Sequence, residues 1–198
     1  MEASSHELIV APSDIPPEPE TALCVRRARA GDEQAFAFLV ERHERMVLRT
    51  ALRLLGRLDL AQDAAQEAFL RLHRYLGRFD ESKELGPWLY RVVVNVCRDM
   101  SRRLPRFVDL DEVHAVESPD PGLDDAVARD EQRRLIQRAL LTLPLKERAA
   151  IVLRDIEGLA SREVARILGV SEATVRSQIS TGRLRIKRYV EAHGGIRR

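Results

Sequence analysis

Residues 161–190 read SREVARILGVSEATVRSQISTGRLRIKRYV. Val164, Ala165, Ile167 and Leu168 make a short apolar face, Gly169 supplies a turn, Val170 plugs it, and Ser161 and Ser171 stand where the two helices need N-caps. This is the order of a helix-turn-helix, in which a small residue such as Ala165 lets the helices approach closely. In the second helix Val175, Ile179, Gly182, Ile186 and Tyr189 recur at spacings of 4, 3, 4 and 3 and form one seam. Its other faces carry Thr174, Arg176, Ser177, Gln178, Thr181, Arg183, Arg185, Lys187 and Arg188, with no acid between Glu172 and Glu191. Such a helix suits a major groove, its N-terminal residues reaching base edges and its later cations meeting phosphate. Five phosphate contacts would give a log–log salt slope of about −4.5. An arginine-rich solvated helix would carry the same charges, but turn, cap and acid-free face coincide here, so DNA recognition is the expectation.

Upstream of this stretch the pattern is helical almost throughout. Periodicity predicts helices from about 125 to Leu143, from Lys146 to Ile156 with Pro144 opening the turn and Gly158 closing it, and from 171 to about 192. Residues 22–103 read as a helical bundle punctuated by Gly31, Gly56, Gly77 and Gly86-Pro87. Asp32 caps a helix whose Phe36, Leu39, Val40, His43 and Val47 share a face; a second helix spans 60–76, and Pro87 sits in the first turn of one that runs to Arg103. Residues 104–124 hold three prolines and no sustained 3.6 period and read as a linker, and the first 20, with four prolines, read as a disordered tail. The expected fold is all-α in two small helical domains, 21–103 and 125–198, a size consistent with 198 residues and 44% hydrophobic content.

Charge follows the same division. Net charge is −5 over residues 1–20, +5 over 21–103, −5 over 104–124 and +7 over 125–198. Two basic blocks joined by an acidic connector suggest modules that meet a polyanion, although solvated helix faces alone produce the same distribution. Cys24 and Cys97 form neither a disulfide framework nor a metal pattern and read as buried thiols in a reducing cytosol. No stretch is long and apolar enough for a membrane span, and the N-terminus lacks a signal-peptide pattern.

Two further constellations lie in the first module. In DAAQEAFLRLHRYLGRF at 63–79, Ala65, Phe69, Leu72 and Leu76 mark the buried stripe, so Asp63, Gln66 and Glu67 share the opposite, exposed side. That face could bind a basic partner or simply be wet. In GPWLYRVVVNVCRDMSRR at 86–103, Trp88, Leu89, Val92, Val96 and Met100 are the expected apolar face, while Arg91, Asn95, Arg98, Asp99, Arg102 and Arg103 align along the others. Aromatic residues beside a basic, amide-bearing helix suit single-stranded or distorted nucleic acid, with Trp88 itself expected in the core.

Together, DAAQEAFLRL, F-x8-WLYRVVVN-x2-RD and LPLKERAAIVLRDIEGLASREVARILGVSEATVRSQI resemble bacterial sigma factors of the extracytoplasmic-function type, in the family's order and over about residues 22–103 and 125–190. The resemblance implies that Asp63, Gln66 and Glu67 bind the clamp coiled coil of the largest catalytic subunit of core RNA polymerase. It implies that Asn95, Arg98 and Asp99, with Arg91 as a phosphate or structural partner, read and open the promoter −10 element, and that residues 79–85, beginning with Phe79, form a pocket for a flipped base. The −35 element would be read through Ser171, Thr174, Arg176, Ser177, Gln178, Thr181 and Arg183. Many members carry arginine where this chain has Gln178 and Thr181, and a bulky residue at Ser180, so its −35 preference and phosphate affinity are expected to differ. An anti-sigma protein covering both modules is the implied regulator, and the acidic linker would thread the polymerase cleft.

The sequence holds no HExxH, GxxxxGK[ST] or GxSxG, and its five histidines lack ligand spacing, so neither an enzyme nor a metal or other cofactor is expected. The alternative is a free-standing regulator that binds duplex DNA as a dimer through 125–190. Such a protein has no use for the Asp63, Gln66, Glu67 face or the Asn95 helix.

Overall fold

In the computed structural model, residues 19–103 and 126–194 are described, and every regular element among them is helical. The helices are α1 Pro19–Arg29, α2 Glu33–Leu55, α3 Leu58–Tyr75 and α4 Leu85–Arg103, followed by α5 Ala126–Leu141, α6 Leu145–Ile151, α7 Ser161–Leu168 and α8 Glu172–His193. A 3-10 turn, Leu76–Arg78, follows α3, and a π segment, Val152–Ile156, follows α6. The tail reading needs one correction: Pro19 and Glu20 belong to α1, because proline's fixed φ suits the first helical position. Residues 1–18 and the linker at 104–124 lie outside the described residues.

Local chemistry sets most of the ends. Asp32 caps α2 by accepting from the Ala35 N–H at 3.0 Å, and Gly56 closes it at φ 79°, its own N–H donating to Leu52 O. Ser171 caps α8 through the Thr174 N–H at 3.1 Å. Ser161, in contrast, is not an N-cap. It is the first residue of α7, and Ala160 holds the cap position with no side-chain bond, its carbonyl accepting from Glu163 and Val164. The helix expected to continue from α6 to Ile156 widens into π geometry over its last five residues, with Glu157 N–H donating to Val152 O and Leu159 N–H to Leu153 O.

α2 runs through the centre of the first module and packs on α1, α3 and α4. Leu39, Val47, Ala51 and Leu54 of α2, Ala61, Ala64, Ala68 and Leu72 of α3, and Leu89 and Val93 of α4 are wholly shielded from water. The alanines on α3 let it lie close against α2. In the second module α8 lies across α5, α6 and α7. Its seam is buried at Val175, Ile179 and Gly182 and half-buried at Ile186 and Tyr189, the last stacking on His193 of the same helix, and Gly182 is there because a Cβ would fall 2.5 Å from Ile151 Cδ1.

The two modules pack directly on each other, α5 against the end of α2 and α7 against α4, and their buried residues form one continuous cluster. This changes α4. Besides Leu89 and Val96, the residues Tyr90, Val93, Val94 and Cys97 are buried, whereas Trp88, Val92 and Met100 are only half-buried. Tyr90, Val94 and Cys97, spaced 4 and 3, give the helix a second dry stripe beyond the amphipathic face read from sequence. Of the two cysteines, Cys97 is buried and Cys24 half-buried.

Candidate polymerase and nucleic-acid interfaces

On α3 the alanine stripe faces inward, which leaves Asp63 and Gln66 exposed and Glu67 half-exposed beside them. Glu67 accepts from Arg71 Nε at 2.8 Å, and Arg71 also approaches Asp99 on α4 at 3.6 Å. Arg71 therefore ties the acidic face of α3 to the charged edge of α4, a role its i+4 position relative to Glu67 signals in the sequence.

Along α4, Asn95 and Arg98 are half-buried and Asp99, Arg102 and Arg103 exposed, on one continuous side. Phe79 is 9% exposed and packs edge-to-face on Trp88, ring centroids 5.9 Å apart. The loop after it is ordered by Asp80, whose carboxylate accepts from the Ser82 N–H at 3.0 Å and the Ser82 hydroxyl at 2.7 Å; these bonds hold its pKa below the usual carboxylate value. Arg91 stands apart from this surface. Its Nη2 donates to Arg166 O of α7 at 3.0 Å, and burial lowers its pKa.

At the start of α8, Ser171, Thr174, Arg176, Ser177 and Thr181 are exposed, while Gln178 is half-buried with its Oε1 shielded and unbonded. Two of the five cations expected to face phosphate have acidic partners supplied by the other helices of the module. Arg183 donates to both carboxylate oxygens of Asp155, at 2.8 and 2.6 Å, and Arg185 lies 3.3 Å from the buried Glu147. The run from Glu172 to Glu191 holds no acid, yet its electrostatics are set by acids 28 and 38 residues earlier. Arg154, Arg176 and Arg183 with Ser161 and Ser180 rim a hollow of about 360 Å³ on this side.

The junction between modules contains the residues that sequence reasoning missed. Arg148 is 8% exposed; its Nη1 donates to Leu54 O at the end of α2 and its Nη2 to Leu141 O and Leu143 O at 2.6 and 2.9 Å. Burial pushes its guanidinium down to about 10, so it keeps its charge at neutral pH, on carbonyl oxygens rather than a carboxylate. Gln137 Nε2 donates to Leu52 O and Arg53 O at 3.2 and 3.3 Å. Glu157, just past the π segment, accepts from Arg53 and, at 2.8 Å, from the Tyr90 hydroxyl; burial first, then this carboxylate, raises the tyrosine's pKa.

Residues 39–107 match the family model for sigma-70 region 2, and residues 133–186 that for sigma-70 region 4. The extracytoplasmic-function sigma factor SigM of Mycobacterium tuberculosis is 38% identical over 175 residues, 85% of this chain and 85% of that protein. The chain belongs to the extracytoplasmic-function sigma factors. SigW of Bacillus subtilis is 33% identical, covering 84% of this chain and 94% of its own. Among solved structures, CnrH in complex with the cytosolic domain of CnrY is similar with a TM-score of 0.65 at 24% identity, over 88% of this chain and 99% of that one. RpoE of Bartonella quintana, in complex with the anti-sigma factor NepR, has a TM-score of 0.62 at 20% identity, over 80% and 98%. As a member of this family the sigma factor binds core RNA polymerase and directs it to promoters, which removes the reading as a free-standing dimeric regulator. Among the described residues no helix is long and apolar enough to cross a membrane, and no His, Cys, Asp or Glu cluster has metal-binding geometry.

Proposed function

We propose that this sigma factor divides promoter recognition between its modules, residue by residue as follows. Asp63, Gln66 and Glu67 on α3 grip core polymerase. Asn95, Arg98, Asp99, Arg102 and Arg103 on α4, with Phe79 and the loop after it, engage and open the −10 element. Ser171, Thr174, Arg176, Ser177, Gln178 and Thr181 on α8 read the −35 element, with Arg183 meeting phosphate when Asp155 lets it go. Opening a duplex costs a few kcal/mol of unstacking per flipped base, which the loop pocket must return. The chain has no chemistry of its own in this scheme. It works in the cytoplasm, where its polymerase and promoter are, and an anti-sigma protein is its regulator; the anti-sigma complex of RpoE, which has a similar fold, supports that partner.

The observation that carries this reading is the exposed acid-and-amide face of α3, held opposite a dry alanine stripe and needed by no intramolecular contact at Asp63 or Gln66. Replacing Gln66 and Glu67 together by alanine is expected to weaken binding to core polymerase at least tenfold while circular dichroism stays unchanged. Unaltered affinity would remove the assignment of this face.

A further inference from the structure

The buried seam of α8 fixes what the other side of the helix can offer. At about 100° per residue, Thr174, Ser177, Thr181 and Leu184, spaced 3, 4 and 3, fall on one ridge across from Val175, Ile179 and Gly182. All four are exposed, and the ridge carries no charge until it reaches Arg188. The cations stand to either side, Arg176, Arg183 and Lys187 along one flank and Arg185 along the other, each of them exposed. An uncharged ridge between charged flanks matches the cross-section of a major groove, whose floor is base edges and whose walls are phosphates.

Leu184 gives that ridge its chemistry. It is 48% exposed, the one large apolar side chain of α8 left in water among the described residues. A single exposed leucine is ordinary on a protein surface; its place in line with Ser177 and Thr181 sets this one apart. Thr174 has its hydroxyl 2.8 Å from the Ser171 hydroxyl at the helix cap, which leaves its methyl as the group it can offer. From 174 to 184 the ridge is about 15 Å long, the length of about four base-pair steps. Leucine and the threonine methyl complement one feature of the major groove, the C5-methyl of thymine, and neither can make the paired hydrogen bonds by which arginine selects guanine or glutamine adenine.

Resting on the reading of α8 as the −35 helix, we propose that this ridge recognises thymine methyl groups, and that Leu184 and Thr181 are specificity residues for thymine in the −35 element. The flanking cations hold the helix in register on phosphate and carry no base preference at those contacts. Each methyl enclosed against the ridge contributes about fourfold in affinity.

The test uses holoenzyme assembled from the full chain and core polymerase, with a promoter duplex whose −35 segment that holoenzyme has selected from a randomised pool. Each −35 thymine is replaced singly by deoxyuridine, which removes only the methyl, and affinity is read by fluorescence anisotropy for the wild type, Leu184→Ala and Thr181→Ser. The expected result is a loss of about fourfold at one or more thymines in the wild type, shrinking to about twofold or less in the variant that lacks the facing group. Core polymerase affinity and circular dichroism of both variants are expected to stay unchanged. A selected segment without thymine, or deoxyuridine that costs nothing at every position, overturns the proposal. An undiminished penalty in both variants overturns it as well, as does weakened core binding in Leu184→Ala, which would place the leucine in a protein contact. Scrambling the −35 segment separates the two readings: no loss on scrambling removes α8 as the −35 helix, whereas a scrambling loss with no deoxyuridine effect removes the methyl contact alone.

Discussion

Asp155 shows how one residue changes what a DNA-facing helix offers. With both oxygens on Arg183, it withholds a cation from the phosphate backbone until DNA competes for it. Asp155→Ala is expected to steepen the log–log salt dependence of duplex binding by about 0.9, the share of one released counterion. Fluorescence anisotropy at several salt concentrations reads this directly. Arg176 lies 3.7 Å from Glu172 and is exposed, so it is free to reach a base edge. Arg176→Ala should cost about 1–3 kcal/mol on the −35 sequence if the contact is bidentate, whereas an equal loss on scrambled DNA would make it a phosphate contact. On the stripe of α4 that the second module covers, burial pushes the Cys97 thiol up to about 12. It should resist thiol reagents at pH 8 until the modules separate or the protein unfolds.

At the scale of the helix, both ends of α2 yield predictions. The Asp32 carboxylate is held below its ordinary value by the Ala35 N–H and then by Arg27, so its ionised form favours the folded state. That contribution is present above the unfolded pKa of 3.8 and is lost as pH falls through the lower folded value. Because asparagine caps about as well as aspartate, Asp32→Asn should leave stability near neutrality almost unchanged and flatten the acid limb of a denaturation series below about pH 4. At the other end, Gly56 has φ 79°, and an added Cβ would fall 2.5 Å from Leu141 Cδ1 of α5. Gly56→Ala should therefore lower stability by about 1–2 kcal/mol from backbone strain alone, and more if α5 does not shift. Asp32 and Gly56 were both legible as helix punctuation. That Gly56 also touches the second module was not.

For the whole molecule, the continuous buried cluster couples two modules that are each small for an independent core. Calorimetry of the free chain should show one cooperative transition, and variants that release region 4 should split or broaden it. The all-α class, the helix-turn-helix, the polar side of α3 and nearly every cap were legible in the sequence because each depends on residues within a turn or two of one another. The second dry stripe of α4 was not legible, since Tyr90, Val94 and Cys97 look like surplus apolar residues until another module covers them.

What the chain's order of residues determined by itself is therefore local and periodic: where helices start and stop, which face of each is apolar, and which motifs mark the family. The tertiary structure alone decided that Arg183 and Arg185 on α8 are held by acids from other elements, why Arg148 is buried without a carboxylate, and that Glu157 and Gln137 cross to the end of α2. Those bonds join residues 67 to 104 positions apart. No spacing rule connects such residues, because their meeting depends on how two separately patterned modules dock, and the free energy of that docking is a sum over a surface that exists only after both have folded.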